Sequence, residues 1–187
     1  FWFKKTKDLM PNHFIAMAGD PIGLGTLTKS IASMNLSNSI IDRSMVVHKA
    51  ERIDIECIVR GYITGSAWPE YQKKGTAGSI LMPVGLQECQ EFPEPIFTPT
   101  TKAEQGHDEN MTFQQVKDLV GSGMANQLRE ASIKVYSYAR QFAADKGIII
   151  ADTKMEFGII NGELHLIDEL LTPDSSRFWD TEKYQVG

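Results

Sequence analysis

Ile148-Ile149-Ile150-Ala151-Asp152-Thr153-Lys154-Met155-Glu156-Phe157-Gly158-Ile159-Ile160-Asn161-Gly162-Glu163-Leu164-His165-Leu166-Ile167-Asp168 is the stretch whose reading decides the fold. Its first thirteen residues are extended and apolar. Asn161-Gly162 is the dipeptide favoured in tight hairpins, because both central residues of such a turn take positive φ. Leu164–Asp168 then reads as the return strand. Five charged residues, Asp152, Lys154, Glu156, Asp168 and Glu169, stand in or beside strands otherwise built from Ile, Met, Phe and Leu. A hairpin with one solvated face explains them. So does a divalent-metal and phosphate site, since Mg²⁺ takes one or two carboxylates together with phosphates and water. Register separates the two. A two-residue turn pairs Glu156 with Ile167 and sends Glu156 and Asp168 to opposite faces. A three-residue loop, Asn161 to Glu163, pairs Ile160 with Leu164 and Glu156 with Asp168. Only the second gives one ion both carboxylates, and it is the expected register.

Upstream of this stretch, Thr112-Phe113-Gln114-Gln115 is a capping box that starts a helix. Gly121-Ser122-Gly123 breaks it. A longer helix is predicted from there to about Lys146, with Leu128, Ala131, Val135, Ala139 and Phe142 on one stripe and Gly147 as its stop. Earlier still, Met45–Val47 and Ile53–Arg60 read as strands. In the second, Ile53, Ile55, Cys57 and Val59 share one face, while Asp54, Glu56 and Arg60 share the other. Gly61-Tyr62-Ile63-Thr64-Gly65-Ser66 follows, with two glycines that permit a close approach or a sharp turn. Residues 67–111 hold Pro69, Pro83, Pro93, Pro95 and Pro99, and are predicted to form long connections with short strands. Residues 1–45 are irregular in pattern. Gly23 and Gly25 do not make a phosphate loop, because Thr28 holds the third glycine's place and no strand precedes them. Strands, a helix pair and an antiparallel hairpin give an α+β fold.

Composition narrows the class. The 187 residues are 42% apolar and 23% charged, the balance of an ordinary globular protein. The formal net charge of −5 argues against a broad electrostatic grip on nucleic acid. No apolar run approaches the ~18 residues of a membrane span. Cys57 and Cys89 lack metal-ligand spacing and are too few for a disulfide framework, so reduced thiols in a cytoplasmic protein are expected. The chain opens on Phe1-Trp2-Phe3 without Met, and is expected to be a piece of a longer one.

Three further groups can carry chemistry. Arg60 with Ser66 can hold a phosphate monoester through guanidinium, hydroxyl and backbone donors. Thr98-Pro99-Thr100-Thr101-Lys102 leads to His107-Asp108-Glu109, which is either an acid/base or metal pair or an ordinary acidic loop before a helix. Thr172-Pro173-Asp174-Ser175-Ser176-Arg177 is another hydroxyl-rich turn with an arginine, and it follows the acidic hairpin closely enough to share a site.

At these segments the sequence resembles the SAICAR synthetase (phosphoribosylaminoimidazole-succinocarboxamide synthase) family. The matching runs are Glu56-Cys57-Ile58-Val59-Arg60-Gly61-Tyr62-Ile63-Thr64-Gly65-Ser66, Phe97–Lys102 with His107-Asp108-Glu109, Ile150–Gly158 and Asp168–Trp179. They cover most of residues 45–180 in the family's order. The resemblance implies an α+β fold related to ATP-grasp and kinase-like nucleotide-binding folds. It also implies a purine-biosynthesis ligase that joins an imidazole carboxylate ribonucleotide to L-aspartate, consumes ATP and requires Mg²⁺. By the same resemblance, Glu156 and Asp168 are metal ligands, and with Lys154 they meet the nucleotide. Arg60, Ser66 and Arg177 hold the ribonucleotide phosphate. Lys102 and Asp108 belong to the substrate pocket, and Lys154 and Asp174 stand as catalytic candidates.

The partners implied are small molecules, with neither nucleic acid nor membrane, and oligomerisation is left open. Asp54 departs from the family's proline and Ala67 from its glycine. The family's N-terminal glycine- and lysine-containing nucleotide lid has no counterpart in residues 1–44, which read as the end of an N-terminal region carrying a loop-rich insertion. Residues 45–187 then form the ATP- and substrate-binding domain, with an incomplete C-terminus. Two other functions compete. A kinase-like phosphotransferase would form ADP without aspartate, and a non-catalytic binding module would draw its support from the missing lid.

Overall fold

Ile148–Ile160 makes a strand of 13 residues, long enough to be paired along both edges. The structure, a computed structural model, describes residues 1–102 and 109–187. On one edge the strand pairs with Ile55–Tyr62, setting Cys57 against Met155 and Arg60 against Asp152. Further along that strand, Glu51–Arg52 pairs with Gly158 and Ile159. The other edge takes Ser176–Asp180 against its first half and Glu163–Ile167 against its second. Glu91–Phe97 and Thr100–Thr101 pair with Ile55–Tyr62 and complete a seven-stranded sheet whose ladders are all antiparallel. Pro93 and Pro95 are tolerated because Glu91–Phe97 ends the strand order.

The period of two decides what each face does. Ile55, Cys57, Val59, Met155 and Phe157 fall on one face and are at most 1% exposed. They share a core with Leu128, Val135, Tyr136 and Ala139 of the helix Ser122–Ala144. Each such side chain contributes about 1.5–3 kcal/mol by leaving water. Burial there pushes the Cys57 thiol up to about 12, so it remains protonated and inert. The expected capping box is present: Gln115 N–H donates to Thr112 Oγ1 at 3.2 Å, and Thr112 N–H to Gln115 Oε1 at 2.7 Å. Phe113–Val120 is the first helix, and the second begins after Gly121.

Three expectations are corrected. Residues 67–111 are not only connections: Ala67–Lys74 is a helix. Its proline, Pro69, lies in the first turn, where no intrahelical N–H partner is lost. Glu70 also stands in that turn, Lys73 and Lys74 in the last, and Gly75 closes the end in the left-handed conformation. Proline there was a start signal rather than a break. Residues 1–45 are less irregular than their pattern suggests. Trp2–Lys5, Pro21–Leu24, Thr28–Ser33 and Asn38–Ile41 are short helices, and Phe14–Met17 pairs with Met45–Val47. Trp2 packs edge-on to Phe142 with ring centroids 5.6 Å apart.

The third correction is the hairpin. Ile160 pairs with Glu163, and Glu156 pairs with Ile167. Asn161 and Gly162 form a two-residue turn with φ of 53° and 83°, the tight type their sequence favours. Glu156 and Asp168 therefore do not face each other across the ladder. Asp168 lies one residue beyond the last pair, with φ of 61°, so strand alternation stops at it.

Candidate functional site

Between Glu163–Ile167 and Ser176–Asp180 the chain leaves the edge of the long strand and returns to it. Leu170 and Leu171 anchor this excursion in the core at 3% exposure each. Asp168 and Leu171 both take positive φ, which bends the chain away from extended strand geometry. Its far end is rejoined when Lys154 N–H donates to Ser175 O at 2.9 Å. Ser175 N–H donates to Thr172 O at 3.1 Å, closing the Thr172-Pro173-Asp174-Ser175 turn. Ser176 Oγ meets Thr153 Oγ1 at 2.7 Å. Pro173, Asp174 and Ser175 of this turn line a cleft with Arg60, Asp152 and Lys154, on the sheet face that does not carry the long helix.

On that face a row of side chains crosses three strands, because Arg60 pairs with Asp152 and Asp152 with Arg177. Arg60 Nη1 donates to Asp152 Oδ2 at 3.1 Å, Nε to Thr98 Oγ1 at 3.0 Å and Nη2 to Ser66 Oγ at 3.1 Å. Arg177 Nη1 donates to the same Asp152 oxygen. The Arg60 and Asp152 side chains are each 5% exposed, whereas Arg177 is 48% exposed. Burial works to lower the Arg60 pKa, and the Asp152 carboxylate opposes it.

The next row along the strands is Ile58 beside Lys154. Lys154 Nζ lies 3.5 Å from Glu56 Oε1, and Lys102 pairs with Glu156. Arg60, Ser66, Asp152, Lys154, Asp174 and Arg177 line one cleft of about 310 Å³, together with Ile58, Thr153 and residues 173, 175 and 176.

The two glycines after Arg60 make room for protein groups. A Cβ on Gly61 would lie 2.1 Å from the Tyr136 hydroxyl, which donates to Ile150 O at 2.7 Å. One on Gly65 would lie 2.5 Å from the Arg177 guanidinium. Gly65 has φ of 58°, so a side chain there would strain the backbone as well as displace Arg177.

Of the residues expected to carry function, Arg60, Ser66, Lys154, Asp174 and Arg177 come together. Lys102 and Glu156 form a neighbouring pair on the same sheet face. Asp168 is exposed at the start of the excursion, where its carbonyl lies 3.1 Å from His13 Nε2. Asp108, like His107, lies outside the described residues. Sequence reasoning names Asp152 among the charged hairpin residues but assigns no role to it, the residue shared by both arginines, nor to Thr98, Thr153 and Glu56. The signal for Asp152 was available. It stands two residues before Lys154, hence on the same face.

Glu70, in the first turn of the helix that follows Ser66, gathers four donors. Its carboxylate accepts from Thr76 Oγ1 at 2.6 Å, Gly78 N at 2.9 Å, Ser79 N at 3.0 Å and Asn110 Nδ2 at 2.9 Å. Burial works to raise its pKa, but these four donors prevail and hold it below the ordinary 4.5. A depressed folded-state pKa gives stability that is present above the unfolded value and lost as pH falls through the folded one. Glu70→Gln should therefore destabilise the protein at pH 7 and progressively less below pH 4.5. Urea midpoints across pH check this, and a gap between the two proteins that stays constant from pH 7 to 3 contradicts it.

These features define an α+β domain with a polar cleft of paired guanidiniums and clustered hydroxyls. The family model described as SAICAR synthetase matches residues 1–187, and the chain belongs to that family. Among curated relatives, the phosphoribosylaminoimidazole-succinocarboxamide synthase of Saccharomyces cerevisiae is 50% identical over 190 residues, covering 100% of this chain and 62% of its own. That of Elusimicrobium minutum is 49% identical over 188 residues, with the same coverages. The solved SAICAR synthase from Saccharomyces cerevisiae complexed with SAICAR superposes with a TM-score of 0.83 at 46% identity, covering 100% of this chain and 61% of that one. A SAICAR synthetase in complex with ADP matches at a TM-score of 0.73 and 26% identity, covering 99% and 65%. The chain thus spans about three-fifths of the length of these relatives.

Proposed function

We propose that this chain is the part of a SAICAR synthase that binds the ribonucleotide phosphate and handles the phosphoryl group of ATP. Its substrates would be an imidazole carboxylate ribonucleotide, L-aspartate and ATP, and its setting the cytoplasm. Among the described residues, no helix is long and apolar enough to cross a membrane. The observation that carries the reading is the convergence of Arg60, Ser66 and Arg177 in one cleft with Lys154 and Asp174.

A carboxylate is a poor acceptor for an amine. The reaction of this family converts it to an acyl phosphate: a carboxylate oxygen attacks the γ-phosphorus of ATP, and ADP leaves. The amine of aspartate then attacks the acyl carbon, the carbon–oxygen bond to phosphate breaks, and the amine's proton is lost to solvent or a nearby base. Phosphoryl transfer asks mainly for positioning and compensation of negative charge. Lys154, half-exposed and 3.5 Å from Glu56, would supply a point charge for that purpose. Asp174, exposed on the excursion, faces the same cleft and suits contact with the amine-bearing substrate.

The donor chemistry fits Mg²⁺. Glu156 is an acceptor-only carboxylate, nearly buried, with Lys102 as its partner. The observed register does not set Asp168 opposite Glu156, and its place on the ion rests on the family resemblance. Among the described residues, no group of three or more His, Cys, Asp or Glu could hold a metal, so the ion would take its other ligands from phosphates and water. When bound there, Mg²⁺ would offset charge on the transferring phosphoryl group.

ADP release by the full-length protein tests the reading, with the imidazole carboxylate ribonucleotide and aspartate omitted in turn. Turnover that requires both supports the ligase. Turnover indifferent to aspartate indicates a phosphotransferase. Within the ligase reading, Arg177→Lys is expected to weaken ribonucleotide binding by roughly tenfold, since an ammonium cannot reproduce a fork that contacts Asp152 and phosphate together. Titration calorimetry reads this, and unchanged affinity removes Arg177 from the phosphate site.

A further inference from the structure

Asp152 is the buried group that both cleft arginines touch, and the reading above gives it no task. We propose that Asp152 is a positioning residue whose carboxylate aligns Arg60 and Arg177 so that their free N–H groups converge on a single phosphomonoester. The inference rests on the phosphate-binding reading of the cleft and adds how the two guanidiniums come to share one anion.

The geometry carries it. Arg60, Asp152 and Arg177 are register partners on three adjacent strands, so their side chains rise side by side from one face. Two guanidiniums so placed repel each other, and Arg177 does work to lower the Arg60 pKa. A carboxylate between them removes that penalty and, by accepting both Nη1 groups on one oxygen, turns both forks toward it. Among the described residues, Arg60 spends three of its five N–H groups on Thr98, Asp152 and Ser66, leaving two. Arg177 is held by Asp152 at Nη1, while its plane lies over Gly65. Its exposure leaves the opposite edge open to a ligand.

The sign of one substitution separates positioning from charge. Asp152→Asn makes the cleft more positive, and if charge alone governed affinity it would tighten phosphate binding. If alignment governs, binding weakens. The probe is ribose 5-phosphate, titrated into the full-length protein as wild type, Asp152→Asn, Arg177→Ala and the double variant. Asp152→Asn is expected to weaken binding by about tenfold in the wild-type background and by far less once Arg177 is absent. In the complete reaction, KM for the ribonucleotide should rise more than kcat falls. Unchanged or tighter binding in Asp152→Asn, or an equal loss with and without Arg177, overturns the proposal. Wild-type protein that does not bind ribose 5-phosphate overturns the phosphate reading and this inference with it. Should Asp152→Asn fail to fold, Asp152→Glu keeps the charge while lengthening the arm. A weakened affinity is expected there also, and wild-type affinity in it would count as refutation.

Discussion

Arg60→Met is expected to cost the folded protein about 3–5 kcal/mol, the range seen when one member of a buried ion pair is removed. The side chain it replaces is 5% exposed and donates to Thr98, Asp152 and Ser66. Methionine fills similar volume but leaves Asp152 buried with Arg177 alone, and Arg177 is half in water. The pair itself adds little net stability, because desolvating two ions offsets most of their attraction. The cost comes from stranding one of them. Urea denaturation checks the magnitude. Ribose 5-phosphate binding should be lost in the same variant, and a variant that loses less than about 1 kcal/mol and still binds would show the row to be dispensable.

Glu156→Gln is expected to lower the affinity for Mg²⁺ in the nucleotide complex by at least about 100-fold, and ADP release with it, while the fold survives. The amide oxygen of that variant can still accept from Lys102, and no core contact changes. What disappears is the anionic oxygen that a hard cation selects. Mg²⁺ titration of nucleotide binding and circular dichroism read the two halves separately. Wild-type Mg²⁺ dependence in this variant would remove Glu156 from the ligand set and leave its pairing with Lys102 as its role.

Much of the fold was legible because it follows from periodicity. Alternation put Ile55, Cys57 and Val59 on one face with Glu56 and Arg60 on the other; both faces are buried, and the structure packs the first three in the apolar core while Glu56 and Arg60 enter ion pairs. The capping box at Thr112 and the break at Gly121 are local hydrogen-bond and φ requirements, so the sequence carries them directly. The prolines of residues 67–111 suggest connections, but Pro69 lies in a first turn that tolerates it, and Gly75 with the charges at the two ends marks Ala67–Lys74 as a helix. The hairpin register failed for a different reason. Local turn chemistry sets the register: Asn161-Gly162 adopts the tight turn it favours, whatever a shared ion would require.

By itself, the sequence determined the strand faces, the helix pair, the hairpin and the family, since each depends on spacing along a continuous run. Only the tertiary structure decided that Asp152 lies between Arg60 and Arg177, which are separated from it by 92 and 25 positions. It also decided that the 168–175 excursion, pinned by Leu170 and Leu171, lies over the same face. Such contacts depend on which strands become neighbours, and that choice is made by burial of the opposite face against the helix Ser122–Ala144. The polar row is therefore assembled by the packing of apolar residues that take no part in it.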